Sequence, residues 1–448
     1  MKSQKTNKQK FLISKNLWKK AKKIIAGGNH LISKNPDMLC PDIWPTYYEN
    51  ANGVHTIGID KRRYLDFYLM GVGTSILGYA NKNVNKKVIK TIMQGSVSSL
   101  NCYEEIRLAE YLLKINKWAN KVRFARTGGE ANSIAVRLAR ASCRSDKQKI
   151  AVCGYHGWHD WYLAANLKKN NNLDNLLIPN IPNNGVPINL KNTIVKFEFN
   201  NIQNLKKVLK LNKDIGIIKL EVFRNDPPEK KFLHELRQIC NDKKIILIFD
   251  ECTSGFRETF GGIHQKFNIN PDIIIFGKAL GNGFPITAIV GRDSILNNIS
   301  KTFISSTFWT ERIGPTAALA TLNEMEKLKS WKKISEYGLK IKSLWKKLSN
   351  YYDLNLKIGG VASIPQFYIP SKNFLKYKTF ITQEFLKHNM LAGNLVFVSI
   401  LHNNLMIKKY EKILNLIFEK IKDFEDGENI DDYLIGPEIK NLFRNYNK

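Results

Sequence analysis

Lys278 stands in Pro271-Asp272-Ile273-Ile274-Ile275-Phe276-Gly277-Lys278-Ala279-Leu280-Gly281-Asn282-Gly283-Phe284-Pro285, where a short apolar run stops at a glycine and a lysine follows. A lysine in a desolvated pocket has a lowered pKa and can attack a carbonyl to form a Schiff base. The chain is rich in lysine, so the place of Lys278 after a strand end carries the argument. A second segment, Ile245-Ile246-Leu247-Ile248-Phe249-Asp250-Glu251-Cys252-Thr253-Ser254-Gly255-Phe256-Arg257, ends an apolar run in two acids. A carboxylate at the end of a buried strand is costly unless paired. Asp250 is therefore expected to meet a cation or a protonated ring nitrogen; alone, it fits a helix cap or a structural salt bridge equally well.

Two further segments could cooperate with these. In Val122-Arg123-Phe124-Ala125-Arg126-Thr127-Gly128-Gly129-Glu130-Ala131 a short strand runs through two glycines into a helix. Free backbone N–H groups at a helix start bind anions, and glycine lets a phosphate approach closely. Read alone, the segment is also an ordinary strand-to-helix turn. In Tyr155-His156-Gly157-Trp158-His159-Asp160 an aromatic residue next to glycine can lie flat on a planar ring, with His156 beside it. A metal at this His-x-x-His pair would lack further ligands, and no metal is expected.

The elements that must position these residues are short β-branched runs: Ile150 to Cys153, Ile215 to Leu220, Ile245 to Phe249, Ile273 to Phe276 and Ile286 to Val290. Continuous apolar runs of this length read as strands buried on both faces. Between them lie helical patterns; Ala131, Ile134, Ala135, Leu138 and Ala139 share one helix face. The alternation predicts an α/β sheet with helices on both sides. Residues 46 to 68 read as short antiparallel strands turning at Gly53 and Asp60-Lys61. After about residue 325 two long amphipathic stretches follow, the second marked by Tyr410, Ile413, Leu414, Ile417, Phe418 and Ile421. From about Gly427 the polar tail is expected to hang loosely.

Composition bounds the rest. Of 448 residues 43% are hydrophobic and 24% charged, as in globular proteins. The net charge of +31 invites a nucleic-acid reading. The lysines are scattered, however, and no aromatic residues interleave with them in an RNA-binding signature, so no nucleic-acid partner is expected. Cys40, Cys102, Cys143, Cys153, Cys240 and Cys252 lie far apart, without zinc or disulfide spacing, which fits reduced thiols in a cytoplasm. Met1 to Lys23 lacks the continuous apolar core of a signal peptide, and the longest apolar runs are too short to cross a bilayer.

In their order, Gly128-Gly129-Glu130-Ala131, Tyr155-His156-Gly157, Asp250-Glu251 with Gly255-Phe256-Arg257, and Gly277-Lys278 with Gly281-x-Gly283-x-Pro285 resemble the class III aminotransferases. These are fold-type I enzymes of pyridoxal 5'-phosphate. The chain looks closest to their glutamate-1-semialdehyde 2,1-aminomutase branch, and within it to the aminotransferase-like members of surface-polysaccharide gene clusters. The resemblance spans roughly residues 24 to 420. It implies a large cofactor-binding domain with a mostly parallel seven-stranded sheet and a smaller α+β domain. The corresponding divisions are 1–75, an arm and part of the small domain, then 76–325, the large domain, then 326–448, the rest of the small domain.

The resemblance also implies roles. Lys278 is the Schiff-base lysine and proton carrier, and Asp250 pairs with the pyridine nitrogen. Tyr155 stacks on one ring face, with His156 beside it, and Cys252 takes a valine-like place on the other face. Thr127, Gly128 and Gly129 form the phosphate cradle. Thr307 reaches the phosphate of a neighbouring subunit, which requires a homodimer. Glu221 and Asn225 match an acid and an amide near the cofactor.

Departures from the pattern fall on substrate contacts. Lys34 stands where aminomutases have an arginine, Asn394 where they have a glutamate ahead of the retained Ser399 and His402, and Gly129 where a threonine is usual. Phe308-Trp309-Thr310-Glu311-Arg312 replaces a small Gly- and Asn-containing loop. The implied activity is transfer of an amino group from a donor such as glutamate to an unidentified carbonyl acceptor. The alternative is intramolecular amino transfer of the aminomutase type. Trp158, Trp161, Trp309 and Arg312 are the expected lining of the substrate pocket.

Overall fold

The computed structural model describes residues 2–168, 173, 181–223 and 225–440. Thirteen strands occur among them: β1 Tyr48–Asn52, β2 His55–Gly58, β3 Arg63–Asp66, β4 Lys121–Ala125, β5 Lys149–Cys153, β6 Ile194–Lys196, β7 Ile215–Glu221, β8 Ile246–Glu251, β9 Ile273–Phe276, β10 Thr287–Gly291, β11 Lys357–Gly359, β12 Gln366–Tyr368 and β13 Met390–Leu391. The chain divides into two bodies, one running from Lys82 to Lys332, the other combining the segment up to Asn81 with the segment from Lys333 onward.

The Lys82–Lys332 body is built on a seven-stranded sheet of order β4-β10-β9-β8-β7-β5-β6. β10 runs antiparallel to both its neighbours, and the other neighbouring pairs are parallel. Every residue of β7, β9 and β10 is buried, as continuous β-branched runs require of a sheet covered on both faces. The helix Gly128–Ser142 lays its predicted apolar face, Ala131 to Ala139, against Ile217, Ile248, Ile275 and Ile289. The alternate strand residues Ile218, Leu220, Phe249 and Ile274 are also fully buried. Each such aliphatic or aromatic side chain contributes about 1.5–3 kcal/mol on burial.

In the other body β1, β2 and β3 pair antiparallel and β13 joins β3 in parallel, while β11 and β12 form a separate pair. The predicted strands of residues 46 to 68 are all present. The helix Asn404–Glu425 buries Tyr410, Ile413, Leu414, Ile417, Phe418 and Ile421. The expectation of a loose tail is overturned for the described residues. Ile430 and Ile439 are buried, Lys376 pairs with Asp431 at 2.6 Å, and the Ile439 N–H donates to Thr379 Oγ1 at 2.9 Å. Polar composition hid two apolar anchors that only long-range packing uses. No helix among the described residues is long and apolar enough to cross a membrane.

Candidate active site

Parallel pairing puts the carboxyl ends of β5, β7, β8 and β9 side by side on one edge of the sheet. β4 reaches the same edge, because it is antiparallel to β10, which is antiparallel to β9. The residues at or just beyond these ends are Tyr155 and His156, Glu221, Asp250 to Cys252, Lys278, and Thr127 to Gly129. Ligands of open α/β sheets bind along such an edge.

Lys278 opens a short turn directly after β9 and Gly277 with φ +42°, a left-handed conformation uncommon for a non-glycine residue. Its Nζ donates to Thr253 Oγ1 at 2.6 Å, which ties it to the loop after β8. A Cβ added at Gly277 would stand 3.0 Å from Cys252 Sγ, and one added at Gly128 would stand 3.3 Å from it. The Cys252 sulfur thus joins the lysine turn to the helix start. Burial pushes its thiol well above the ordinary value, so it is a neutral packing group.

Asp250 is buried and pairs in register with Glu221 across β7 and β8. Its Oδ2 lies 2.9 Å from His156 Nδ1, and its Oδ1 accepts the Cys252 N–H at 3.1 Å. Burial alone would raise its pKa. The charge of Lys219, the His156 hydrogen bond and the Cys252 N–H outweigh that, and the carboxyl stays well below the usual range. His156 is fully buried, and its burial lowers its own pKa, so it is a neutral imidazole donating to Asp250. The Glu221 carboxylate accepts the Tyr155 N–H at 2.9 Å and fixes the start of the aromatic loop. Asn225 is exposed in the turn four residues past Glu221.

The helix Gly128–Ser142 starts with a reciprocal cap. Thr127 Oγ1 accepts the Glu130 N–H at 3.3 Å, and the Glu130 carboxylate accepts the Thr127 N–H at 2.8 Å. Thr127 is therefore committed to shaping the helix start. A Cβ at Gly157 would fall 3.2 Å from Gly129 Cα, and a Cβ at Gly129 would fall 2.6 Å from His159 Cε1. The half-buried His159 ring, stacked on Trp158, fills the room that the usual threonine side chain would take. The sequence marks Gly129 as a departure from threonine but gives no sign that His159, 30 residues on, takes up the room.

Most of the residues expected to contact substrate have partners within the protein. Trp161 is a core residue whose Nε1 donates to Ser133 Oγ at 3.1 Å. Trp309 Nε1 donates to Glu130 Oε1 at 3.1 Å, and Arg312 is held on Glu104 by contacts of 2.8–3.0 Å. Trp158 is exposed. In the other body Lys34 is exposed. Asn394 donates to the Phe367 carbonyl at 3.0 Å, and His402 bridges the Ser399 N–H and the Asp66 carbonyl at 3.2 and 2.9 Å. Ser399 and His402 thus close a backbone corner there. Thr307 is exposed at the start of a short turn.

The family model described as Aminotransferase class-III matches residues 41–376. The chain belongs to the class-III aminotransferases. This class-III enzyme is 29% identical over 397 residues to a 3-aminobutyryl-CoA aminotransferase of Cloacimonas acidaminovorans, covering 86% of this chain and 90% of that one. It is 32% identical over 375 residues to a glutamate-1-semialdehyde 2,1-aminomutase of Nitrosopumilus maritimus, covering 81% and 85%. Its fold matches a transaminase solved with PLP bound, with a TM-score of 0.81 and 21% identity over 92% and 99% of the chains. An omega-transaminase from Sphaerobacter thermophilus gives 0.80 and 20% over 90% and 96%. The enzyme has the fold-type I architecture, and its cofactor is pyridoxal 5'-phosphate. The residues on the sheet edge fit that group: a helix that starts at Gly128 and Gly129 with its first N–H groups free of helical acceptors, a buried ionised carboxylate, and a lysine on the turn after the neighbouring strand.

Proposed function

We propose that the enzyme transfers an amino group between an amino donor, glutamate first among them, and a carbonyl acceptor through a Schiff base on Lys278. The observation that carries this reading is the convergence of Lys278, Cys252 and the Gly128 helix start within one contact shell, with the ionised Asp250 beside them. When bound, the cofactor supplies an electron sink for the pair released on deprotonation of the donor carbon. Lys278 carries the proton between carbon atoms. Asp250 presents its charge to the ring nitrogen, held in place by His156 and the Cys252 N–H. Gly128 and Gly129 take the phosphate on backbone N–H groups, helped by the positive end of the 15-residue helix. Tyr155 and Cys252 face the two sides of the ring. Glu221 fixes the Tyr155 loop, and Asn225 follows on the loop after β7. The Lys82–Lys332 body is the cofactor-binding domain and the other body the smaller domain.

The working unit in this reading is a homodimer. Met93, Leu100, Phe303 and Phe308 are strongly exposed large apolar side chains. The Arg312 N–H bonded to the Ser96 carbonyl at 2.8 Å brings their two segments together. Such a patch is suited to a partner subunit, and Thr307 lies within it. Thr307→Ala is expected to weaken cofactor affinity about tenfold, the worth of one hydrogen bond to a charged group. A cofactor titration checks this, and unchanged affinity counts against a phosphate contact across the interface.

The direct test is the visible spectrum of the purified enzyme before and after L-glutamate alone. Bleaching of the yellow form with release of 2-oxoglutarate is expected. A yellow enzyme indifferent to glutamate favours the aminomutase alternative, which the 32% identity to an aminomutase supports, and glutamate-1-semialdehyde is then the substrate to supply.

A further inference from the structure

Lys219 lies on β7 inside a run that otherwise reads as wholly apolar, and its side chain is fully buried. No hydrogen-bond partner for its Nζ occurs among the described residues. The nearest opposite charge is Asp250 Oδ2, at 4.0 Å. Lys219 is two residues before Glu221, which pairs in register with Asp250, so strand alternation puts Lys219, Glu221 and Asp250 on one face of the sheet. The titratable groups around it are Asp250, Cys252 and Glu221, with His156 bonded to the same Asp250 oxygen that Lys219 faces. A buried ammonium with no hydrogen bond is a heavy penalty in a strand that any aliphatic residue would fill. Its largest compensation is the charge of Asp250, with Glu221 on the same face.

We infer that Lys219 is a positioning residue whose ammonium holds the Asp250 carboxylate ionised before the cofactor arrives, and so sets how much negative charge that carboxylate presents to the ring nitrogen. The second half rests on the reading of Asp250 given above; the first half does not. Burial lowers the proton affinity of Lys219, while the negative charge of Asp250, first among the opposing influences, raises it. Removing the Asp250 charge should therefore make the folded protein release the Lys219 proton, whereas the unfolded chain keeps it up to a pH of about 10.4. The unfolded state then binds more protons, so stability rises with pH in that window.

The experiment has two arms on the full chain. In the first, denaturant unfolding of cofactor-free parent, Asp250→Asn and Asp250→Asn/Lys219→Met is followed between about pH 7 and 10. Relative to the parent, Asp250→Asn should gain up to about tenfold in its folding constant per pH unit, the effect of one proton. The double variant should lose that gain. Equal slopes in parent and Asp250→Asn overturn the inference. In the second arm the visible absorption of cofactor-loaded Lys219→Met is titrated with pH. Loss of a neighbouring positive charge favours protonated forms, so the midpoint should rise by about one unit, and adding Lys219→Met to Asp250→Asn should move nothing. No rise, or the same rise in both backgrounds, overturns the inference. If Asp250→Asn itself leaves the visible titration unmoved, the assignment of Asp250 to the ring nitrogen fails, and the first arm still decides the Lys219–Asp250 pair. Should Lys219→Met not fold, Lys219→Ile, matching Ile217 and Ile218 beside it, serves in both arms.

Discussion

Lys278→Ala is expected to lose the yellow absorption and to lower turnover by roughly 10⁴-fold, the upper range for removal of a positioned acid–base group. Two functions vanish together, the covalent anchor and the proton carrier. The fold should survive. The substitution removes the Nζ bond to Thr253 Oγ1 at 2.6 Å and leaves the φ of +42° as it is, since alanine carries the same Cβ. Denaturant unfolding of the variant should stay within about 1 kcal/mol of the parent. A small exogenous amine should restore part of the turnover, because it can replace the proton carrier though not the anchor. An alanine variant that stays yellow and fully active would remove Lys278 from the chemistry.

Much of the candidate site was legible because Lys278 and Asp250 stand at the ends of buried strands, and buried strands announce themselves as unbroken β-branched runs. β8 ends in Asp250-Glu251 and β9 in Phe276 before Gly277-Lys278, where the apolar runs break off. The same rule concealed Lys219: a run counted by its apolar majority absorbs one lysine, and only the pairing of β7 with β8 reveals the acid beside it. Local spacing also misdirects where the deciding partner is remote. The spacing of Ser399 and His402 does not show their role, because the Asp66 carbonyl that receives His402 is 336 residues away in sequence. Trp161 sits in a four-residue helix, too short for periodicity to assign its face, and it turns into the core. The replacement of a threonine side chain by His159 is a three-dimensional substitution between positions that no spacing rule links.

Asp250→Asn is expected to keep measurable cofactor binding while turnover falls about 10²–10³-fold, the range for one preorganised electrostatic group. The amide is isosteric and its oxygen can still accept the His156 or Cys252 hydrogen, so the packing around it changes little. What disappears is a full negative charge in a buried site, where a charge acts with far less screening than in water. That charge is present throughout the working pH range, because the folded carboxyl is held well below its ordinary value. The loss should therefore be nearly flat from about pH 6 to 9 rather than confined to acid pH. Deprotonation of the donor carbon is the step that draws on the ring's electron demand, so it should become limiting. A donor deuterated at that carbon should then show a larger primary isotope effect with Asp250→Asn than with the parent. The mutation also leaves the Lys219 ammonium without its counter-charge, and stability should fall most at neutral pH and recover as the pH climbs toward the unfolded lysine value. A variant with parental turnover and an unchanged isotope effect would mean that the buried carboxylate serves the fold and not the cofactor.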